Sequence, residues 1–411
     1  MSDNPHDRIT YIGKTNHRNA GILFGIRERD RRSHFYIVGK TGTGKSHLIR
    51  NMITQDIAAG SGCALFDPHG DLVASVRELV PPERAVDLLY LDLPDPALHW
   101  RFNPFAGVKK DNRALAAAGL VEVFKKLWPD DWGPRLEHLL RNVVFTLLEI
   151  PGGTLADIPA LLTDRDHRRG VVARLENPVV RDFWFEEYEK YSPAFRAVIV
   201  APLQNKLGAL LTDPTLHRFL TERGNPIDLR RVMDDGKILL VNLDKGKIGE
   251  GPAMTIGSFL LSHIALAGIS RSAVPEEERW DFFVYLDEFQ TFTTHSLANM
   301  LSELRKYRVS LVLAHQHLSQ LEPEIRDAVF GNAGSLLAFR VGADDARYLA
   351  REFAPVFAAA DLVGLPRYHL YLRLQIDGEQ SKPFSASTLS ETSERPLALE
   401  IGVHTFRLGQ L

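Results

Sequence analysis

The chain has 411 residues, of which 45% are hydrophobic and 25% are charged, and its formal net charge is −3. These values are typical of a globular protein with a sizeable core, and they give no support to a chain coated with basic residues for nucleic-acid binding. Cys63 is the only cysteine, which excludes an internal disulfide and fits a reducing compartment. The first residues are polar and contain no apolar signal core, so we expect a cytoplasmic protein.

The first two predicted strands enclose a helix. Residues 34–38 are mostly apolar, β-branched or aromatic and predict a short buried strand, and residues 63–66 predict the next one. Between them, apolar residues recur at helical spacing over residues 46–59. Because strand, helix and strand in this order form a βαβ unit, we expect a parallel sheet.

A glycine-rich loop joins the first strand to the helix and matches the Walker A pattern of phosphate-binding loops. Its glycines allow backbone N–H groups to surround phosphates, and the helix that follows adds the positive end of its dipole. We expect the Lys45 ammonium to reach the β- and γ-phosphates and the Ser46 hydroxyl to bind Mg²⁺. The alternative, a glycine-rich turn without a ligand, fits this strand–loop–helix context less well. The predicted site for ATP and Mg²⁺ comprises Gly39, Lys40, Thr41, Gly42, Thr43, Gly44, Lys45, Ser46 and His47.

Strand-like runs disappear between residues 107 and 225, where Leu, Ala, Glu and Arg appear at helical spacing. This change predicts an all-helical subdomain inserted into the sheet domain. Residues 128–134 within it carry two tryptophans, Trp128 and Trp132, which either recognise a partner protein or pack in a small helical core. The clearest helical stretches are residues 115–127, 136–149 and 202–211.

Strand-like runs return after the insertion, and helical stretches separate them. Residues 368–376 and 382–388 are expected to form an antiparallel edge. The sequence therefore predicts an α/β core with a mainly parallel sheet, divided as 1–106 and 226–390 around the insertion at 107–225, with a tail over 391–411. The returning strands are predicted over residues 238–242, 282–286, 309–313 and 335–339.

Residues 252–269 contain no Asp, Glu, Lys or Arg and need to be considered as a membrane span. The segment is at the lower limit of the length that crosses a bilayer, and it contains His263 and two serines. We therefore predict a helix buried in a large core, and no integral membrane span.

An apolar strand that ends in two acids, Asp287 and Glu288, predicts the second half of the nucleotide site. Asp287 is expected to hold Mg²⁺ through water, and Glu288 to act as the general base on the attacking water. Taken alone, the pattern fits a strand end with solvated acids equally well, but its combination with the Walker A loop favours catalysis. Gln316 follows the next strand and is expected beside the γ-phosphate, with a solvated strand end as the alternative.

These segments together resemble the HerA–FtsK superfamily of ring-forming, DNA-pumping ATPases, and they are most similar to its conjugative coupling proteins of type IV secretion systems. The resemblance implies a RecA-like core and a hexamer with ATP sites between subunits and DNA in the central pore. It also implies an arginine supplied by the adjacent subunit, for which Arg305 is the match and Arg340 the alternative. The likeness is carried by residues 39–46, 66–71, 286–289, 304–307, 314–316 and 339–342.

The leading expectation is a Mg²⁺-dependent motor ATPase that translocates DNA, with double-stranded DNA as the preferred substrate, and that uses Lys45, Glu288, Arg305 and Gln316 in catalysis. An ATPase that handles a partner protein or acts as a scaffold, with the partner docked on the insertion, is the alternative. A nucleotide-gated assembly factor that barely hydrolyses ATP is a third, and the paired acids argue against it. The transmembrane helices of anchored coupling proteins and the β-barrel of HerA repair proteins are not expected here.

Overall fold

The structure is a computed structural model that describes residues 8–17, 20–222 and 225–389, so the predicted tail at 391–411 lies outside the described residues. Its core is a mixed sheet with helices on both faces. The strands are β1 (Ile9–Thr15), β2 (Leu23–Arg27), β3 (Phe35–Val38), β4 (Gly62–Asp67), β5 (Leu88–Asp92), β6 (Trp100–Arg101), β7 (Asn225–Pro226), β8 (Ile238–Asn242), β9 (Phe282–Leu286), β10 (Val309–His315), β11 (Ser335–Ala338), β12 (His369–Arg373), β13 (Gln375–Ile376), β14 (Glu379–Gln380) and β15 (Phe384–Thr388).

Helices fill most of the chain between these strands. Those before the return of the chain to the sheet are α1 (Glu28–Arg31), α2 (Lys45–Ala58), α3 (Asp71–Glu78), α4 (Arg113–Leu127), α5 (Pro134–Glu149), α6 (Ile158–Thr163), α7 (Arg165–Val172), α8 (Pro178–Asp182), α9 (Pro193–Thr212) and α10 (Pro214–Thr221). Those after it are α11 (Leu229–Asp234), α12 (Lys245–Ile248), α13 (Glu250–Ile269), α14 (His295–Leu304), α15 (Pro323–Asn332), α16 (Ala343–Leu349) and α17 (Ala359–Gly364).

The main sheet has 11 strands in the order β2-β1-β15-β12-β11-β3-β10-β9-β4-β8-β5. The strands from β11 to β5 are parallel, and their connections cross over through helices. The remaining four are antiparallel, and β12 pairs with β15 as predicted for the antiparallel edge. Because the central strands are parallel, the loops that follow β3, β9 and β10 meet at one edge of the sheet.

Two apolar layers hold the sheet between helices. Side chains alternate along β3, so that Phe35 and Ile37 pack with α2 and α3, while Tyr36 and Val38 pack into the opposite layer. That opposite layer contains α13 and α14 and continues without a break into the helices of the insertion. The insertion therefore shares its core with the sheet domain.

The helical segment leaves and rejoins the sheet domain at one place. Strands β6 and β7 pair in parallel, with Trp100 opposite Asn225 and Arg101 opposite Pro226. Between them, the described residues after Arg101 form helices and turns, with no strand. This arrangement agrees with an inserted all-helical unit, and its boundaries at 107 and 225 stay a prediction.

Helix α13 contains the apolar segment that the sequence raised as a possible membrane span. Within the described residues it is the one helix that is long and apolar enough to cross a bilayer, and 78% of its apolar window is buried inside the protein. It packs against α4, α11 and α14. As predicted, it is a core helix.

The structure contains strands and a longer helix that the sequence analysis did not predict. The polar first 33 residues contain β1 and β2, which extend the antiparallel edge, and the opposite edge is formed by β5, which was not predicted. Helix α9 begins at Pro193, after a cap in which the Ser192 hydroxyl accepts from the Phe195 N–H, and so places Pro202 in its interior. Proline at that position removes one bond to the Val198 carbonyl, which lies on an exposed side of the helix where water can replace it.

Glu28, the first residue of α1, lies in a pocket with Arg8 and Asp281. Burial, with the charges of Asp281 and Asp56, raises the pKa of its carboxyl from 4.5 to about 7. Because the folded protein then holds this proton more tightly than the unfolded chain, its contribution to stability falls as the pH rises through that window. We expect Glu28→Gln to raise the free energy of unfolding by about 1–3 kcal/mol near pH 8 and by little near pH 4.

Urea denaturation of both proteins at the two pH values measures this difference. The comparison with the wild type at each pH cancels the titration of all other groups. An equal difference at both pH values would mean that Glu28 ionises at its ordinary pKa and that burial has no effect on it.

Candidate active site

The glycine-rich loop lies between the carboxyl end of β3 and the first turn of α2, as predicted. Gly44 has φ 125°, a conformation that side chains disfavour, and it ends the loop where α2 begins. Gly39 is packed against the next strand, because a Cβ there would lie 2.6 Å from the Cβ of Phe339. The loop is fixed on both sides by backbone hydrogen bonds, from Gly39 N to His315 O and from Lys40 N to Arg340 O.

The Lys45 side chain folds back into the loop. Its Nζ donates to the carbonyl oxygens of Gly39 at 2.6 Å and Lys40 at 3.3 Å. Burial lowers the pKa of this ammonium, and the neighbouring carboxylates of Asp287 and Glu288 oppose that shift. The ammonium is thus held inside the loop by two backbone carbonyls, the position from which a Walker A lysine reaches a bound phosphate.

The other residues of the predicted loop surround this lysine. Thr43 is buried and donates to the Lys40 carbonyl at 2.7 Å, while Thr41, Gly42 and Ser46 face solvent at the mouth of the loop. His47 lies behind the loop, where its Nε2 contacts the Leu389 carbonyl at 2.6 Å and its ring meets the edge of Tyr368. The structure therefore brings residues 39–46 together around one concavity and places His47 at its rear.

Asp287 and Glu288 follow β9 at the same edge of the sheet, and both are buried. Burial is the main cause that raises the pKa of the Asp287 carboxyl to about 7, and the charges of Asp67 and Glu288 add to it. A raised pKa means that the nearby positive charge is too weak to stabilise the ionised Asp287 carboxylate. A divalent cation would supply the missing positive charge. Asp67 itself accepts the N–H groups of His69 and Val73 and so stabilises the turn into α3.

Glu288 is held by two glutamines. Gln316 donates its amide to Oε1 at 2.5 Å, and Gln290 donates to Oε2 at 2.7 Å. The carbonyl of the Gln316 amide in turn accepts from the Thr41 hydroxyl at 2.7 Å. A continuous set of hydrogen bonds therefore joins the acid, the amide and the phosphate loop. Gln316 lies beside the loop, and its position next to the γ-phosphate stays a prediction.

The two candidate arginines lie at opposite edges of the sheet. Arg305 lines a cleft of about 260 Å³ with His34 and Gly334, which precede β3 and β11, so it lies at the amino ends of the strands. The phosphate loop of the same chain lies beyond the carboxyl end of β3. Arg305 and this loop are therefore separated by at least the length of that strand, which is about 13 Å. Arg340, by contrast, follows β11 directly beside Lys40 of the same chain.

Three site residues carried no signal in the sequence. Gln290 lies two residues after Glu288, where a polar side chain on a short turn has no recognisable pattern. Arg367 and Tyr368 precede β12; the Arg367 side chain donates to the Gly42 carbonyl at 3.0 Å and the Tyr368 N–H to the Thr43 carbonyl at 2.8 Å. The loop is thus buttressed from the antiparallel edge.

The two tryptophans of the insertion occupy different environments. Trp128 is buried, and its ring lies 5.0 Å from that of Phe124, so it packs in the core as one of the two alternatives proposed. Trp132 is half-buried and donates its ring N–H to Glu137 at 3.0 Å. Recognition of a partner protein through this segment stays a prediction.

Comparison with known proteins gives one family and one fold. The family model described as the type IV secretion-system coupling protein DNA-binding domain matches residues 18–347. The search of curated proteins gave no match.

Solved structures similar to this chain include the bacterial conjugative coupling protein TrwBdeltaN70 in an unbound form, with a TM-score of 0.66 and 16% identity over 93% of this chain and 90% of that one. The plasmid coupling protein TrwB in complex with ADP and Mg²⁺ has a TM-score of 0.64 and 16% identity, covering 88% of this chain and 86% of that one. VirB4 of Thermoanaerobacter pseudethanolicus has a TM-score of 0.63 and 14% identity, covering 93% and 97%. The likeness confirms the predicted fold class, a RecA-like α/β core with a mainly parallel sheet.

Proposed function

This chain belongs to the family of type IV secretion-system coupling protein DNA-binding domains, and from that premise we propose that it is an ATP-hydrolysing motor that forms a ring and translocates DNA. The observation that carries the proposal is the position of Glu288, buried beside the phosphate loop and linked to it through Gln316. Nucleotide-binding loops alone serve many proteins, whereas an acid oriented at the loop by an amide is what hydrolysis requires.

Residues on this chain provide the groups that ATP and Mg²⁺ need. The Lys45 ammonium is poised at the loop to neutralise the β- and γ-phosphates, and the Ser46 hydroxyl and Asp287 carboxylate are oxygen ligands of the kind that Mg²⁺ prefers. A Mg²⁺ ion held by these residues would neutralise phosphate charge. The solved TrwB complexes with ADP and Mg²⁺ and with a non-hydrolysable ATP analogue support this assignment.

Glu288 acts as the general base. Its two oxygens each accept one amide hydrogen bond, which fixes the plane of the carboxylate and leaves further lone pairs to orient and deprotonate a water. Gln316 bonds both Glu288 and Thr41, so a change in the loop when the γ-phosphate leaves is transmitted to the base. This is the role of an amide that reports hydrolysis.

An arginine supplied by a neighbouring subunit is our reason for proposing a ring. Transition-state charge on the γ-phosphoryl group is stabilised by an arginine in many motors of this fold, and Arg305 lies too far from its own loop to provide one. A neighbouring subunit supplies it in the proposed hexamer, whose central pore holds double-stranded DNA. A net charge of −3 is compatible with this, because only a narrow ring of basic residues has to contact phosphates. We place the motor in the cytoplasm.

The test is ATP hydrolysis with and without duplex DNA, on protein whose oligomeric mass is measured in the same buffer. We expect a ring-sized species, DNA binding that weakens with salt, and hydrolysis that duplex DNA raises severalfold. Lys45→Ala is the control for contaminating ATPases. A ring that hydrolyses ATP yet neither binds DNA nor responds to it would contradict translocation and favour an ATPase that handles a partner protein.

A further inference from the structure

Lys126 connects the helical insertion to the segment that follows Glu288. It lies near the end of α4, and its Nζ donates to the Gln290 carbonyl at 2.7 Å and to the Thr293 carbonyl at 2.6 Å. These two carbonyls lie on the short turn between Glu288 and the start of α14. One ammonium group from the insertion therefore forms hydrogen bonds at both ends of that turn.

This lysine is unusual in what surrounds it. Burial lowers the pKa of its ammonium from 10.5 to about 8, and the charge of Glu322 only partly opposes the shift. Among the residues that the structure describes, no carboxylate forms a salt bridge with it. Burying a cation costs free energy because it loses its hydrogen bonds to water. Here the two backbone carbonyls accept hydrogen bonds from the ammonium in place of water. A lysine that served solubility alone would be directed outward, as its neighbour Lys125 is.

Gln290 connects Lys126 to the general base through hydrogen bonds. The backbone carbonyl of Gln290 accepts from Lys126, while its side-chain amide donates to Glu288 Oε2 at 2.7 Å. Glu288 has φ 50° and ψ 50°, a left-handed conformation in which a residue with a side chain is held by its surroundings. The orientation of the carboxylate therefore depends on where this turn is fixed.

The same turn also leads into α14. Thr294 caps that helix by accepting the Leu297 N–H, directly after the carbonyl of Thr293 that Lys126 holds. Helix α4 packs along α14, and Arg305 follows the far end of α14. Lys126 thus lies where a shift of the insertion moves the turn at the ATP site and the helix that carries Arg305.

We propose that Lys126 is a positioning residue for Glu288, supplied by the helical insertion, and that through it the position of α4 sets the rate of ATP hydrolysis. The inference rests on the proposed ATPase function. It makes the insertion part of the catalytic machinery, in addition to any contact that its outer face makes with DNA or protein.

Lys126→Met keeps the length and apolar stem of the side chain and removes its donors. We expect it to lower kcat about 10-fold while KM for ATP changes less than about twofold, since the base is misplaced and the phosphate loop is untouched. Lys126→Arg retains donors and is expected to restore most of the rate. Lys125→Met is the matched control on the exposed side of the same helix, and it is expected to leave kcat unchanged.

A double-mutant cycle separates positioning from general stability. In a Glu288→Gln background, Lys126→Met is expected to have no further effect on the residual hydrolysis, because the residue that it positions is already gone. Equal losses in both backgrounds, or an unchanged kcat, would overturn the proposal. If Lys126→Met does not fold, Lys126→Leu, which likewise carries no donor, replaces it with the same expected result.

ATP hydrolysis by the wild type shows whether a negative result contradicts the role of Lys126 or the proposed function itself. If it hydrolyses ATP and Lys126→Met does so at the same rate, the positioning role is wrong and the proposed ATPase stands. If the wild-type ring does not hydrolyse ATP at all, the proposed function is wrong, and the role of Lys126 is lost with it.

Discussion

Replacement of Glu288 by glutamine is expected to leave ATP binding intact and to slow hydrolysis by about 10²–10⁴-fold. Glutamine has the same shape but cannot accept the proton of the attacking water. It also presents an amide N–H₂ to one of the two amides that now donate to Glu288, so one of the bonds from Gln290 or Gln316 is lost as well. Steady-state turnover and equilibrium nucleotide binding, measured on the same preparation, separate the two effects.

A surface acid is the control for the loss of one negative charge. Glu324 is exposed on α15, and Glu324→Gln is expected to turn over at the wild-type rate. If Glu288→Gln also hydrolyses at that rate, the base assignment is wrong. If it fails to bind ATP, the acid supports the loop structurally rather than the chemistry.

Removal of Arg305 is expected to have a still larger effect, lowering turnover by about 10³–10⁵-fold, if it stabilises the transition state in the neighbouring site. The geometry makes the test distinctive, because Arg305 lies at the opposite edge of the sheet from its own loop. Arg305→Ala subunits are therefore expected to retain an intact ATP-binding half and to lack only what they give to the next subunit.

Mixing subunits shows whether the arginine acts across an interface. When Arg305→Ala and Lys45→Ala subunits assemble together, about one quarter of the interfaces in a random ring contain both intact residues, so activity is expected to reappear. Arg340→Ala provides the matched comparison, because Arg340 lies beside its own loop, so any activity that Arg340→Ala rings lose should not be restored by mixing with Lys45→Ala subunits. Intact mixed rings without recovery for Arg305 would remove the trans role, and recovery for Arg340 would transfer it there.

The central sheet could be predicted because its strands are buried on both faces and appear as uninterrupted apolar runs, as in β8 and β9. The outer strands β1, β2 and β5 could not. Strand β1 mixes buried and partly exposed residues, which in a polar segment gives a weak signal. Strand β5 is partly exposed, and it pairs with β8, which follows the whole insertion.

Some parts of the candidate site could likewise be predicted from the sequence, and others could not. The phosphate loop and the acids after β9 are continuous in sequence, so their chemistry is visible in their spacing. Lys126 lies 164 residues from Gln290 in the sequence and binds a backbone carbonyl, a group that every residue possesses. Gln290 is recognisable only once Glu288 is seen to need a second donor. Contacts of this kind depend on the fold and leave no pattern along the chain.

The extensive burial of α13 limits how this protein can diverge. The insertion joins the sheet domain through two adjacent strands, β6 and β7, which makes it topologically easy to lose. Its loss, however, would expose to water the apolar face of α13 that α4 covers. A related protein can therefore change the outer helices of the insertion. One that lacks the insertion has to cover α13 with other helices or insert it into a membrane.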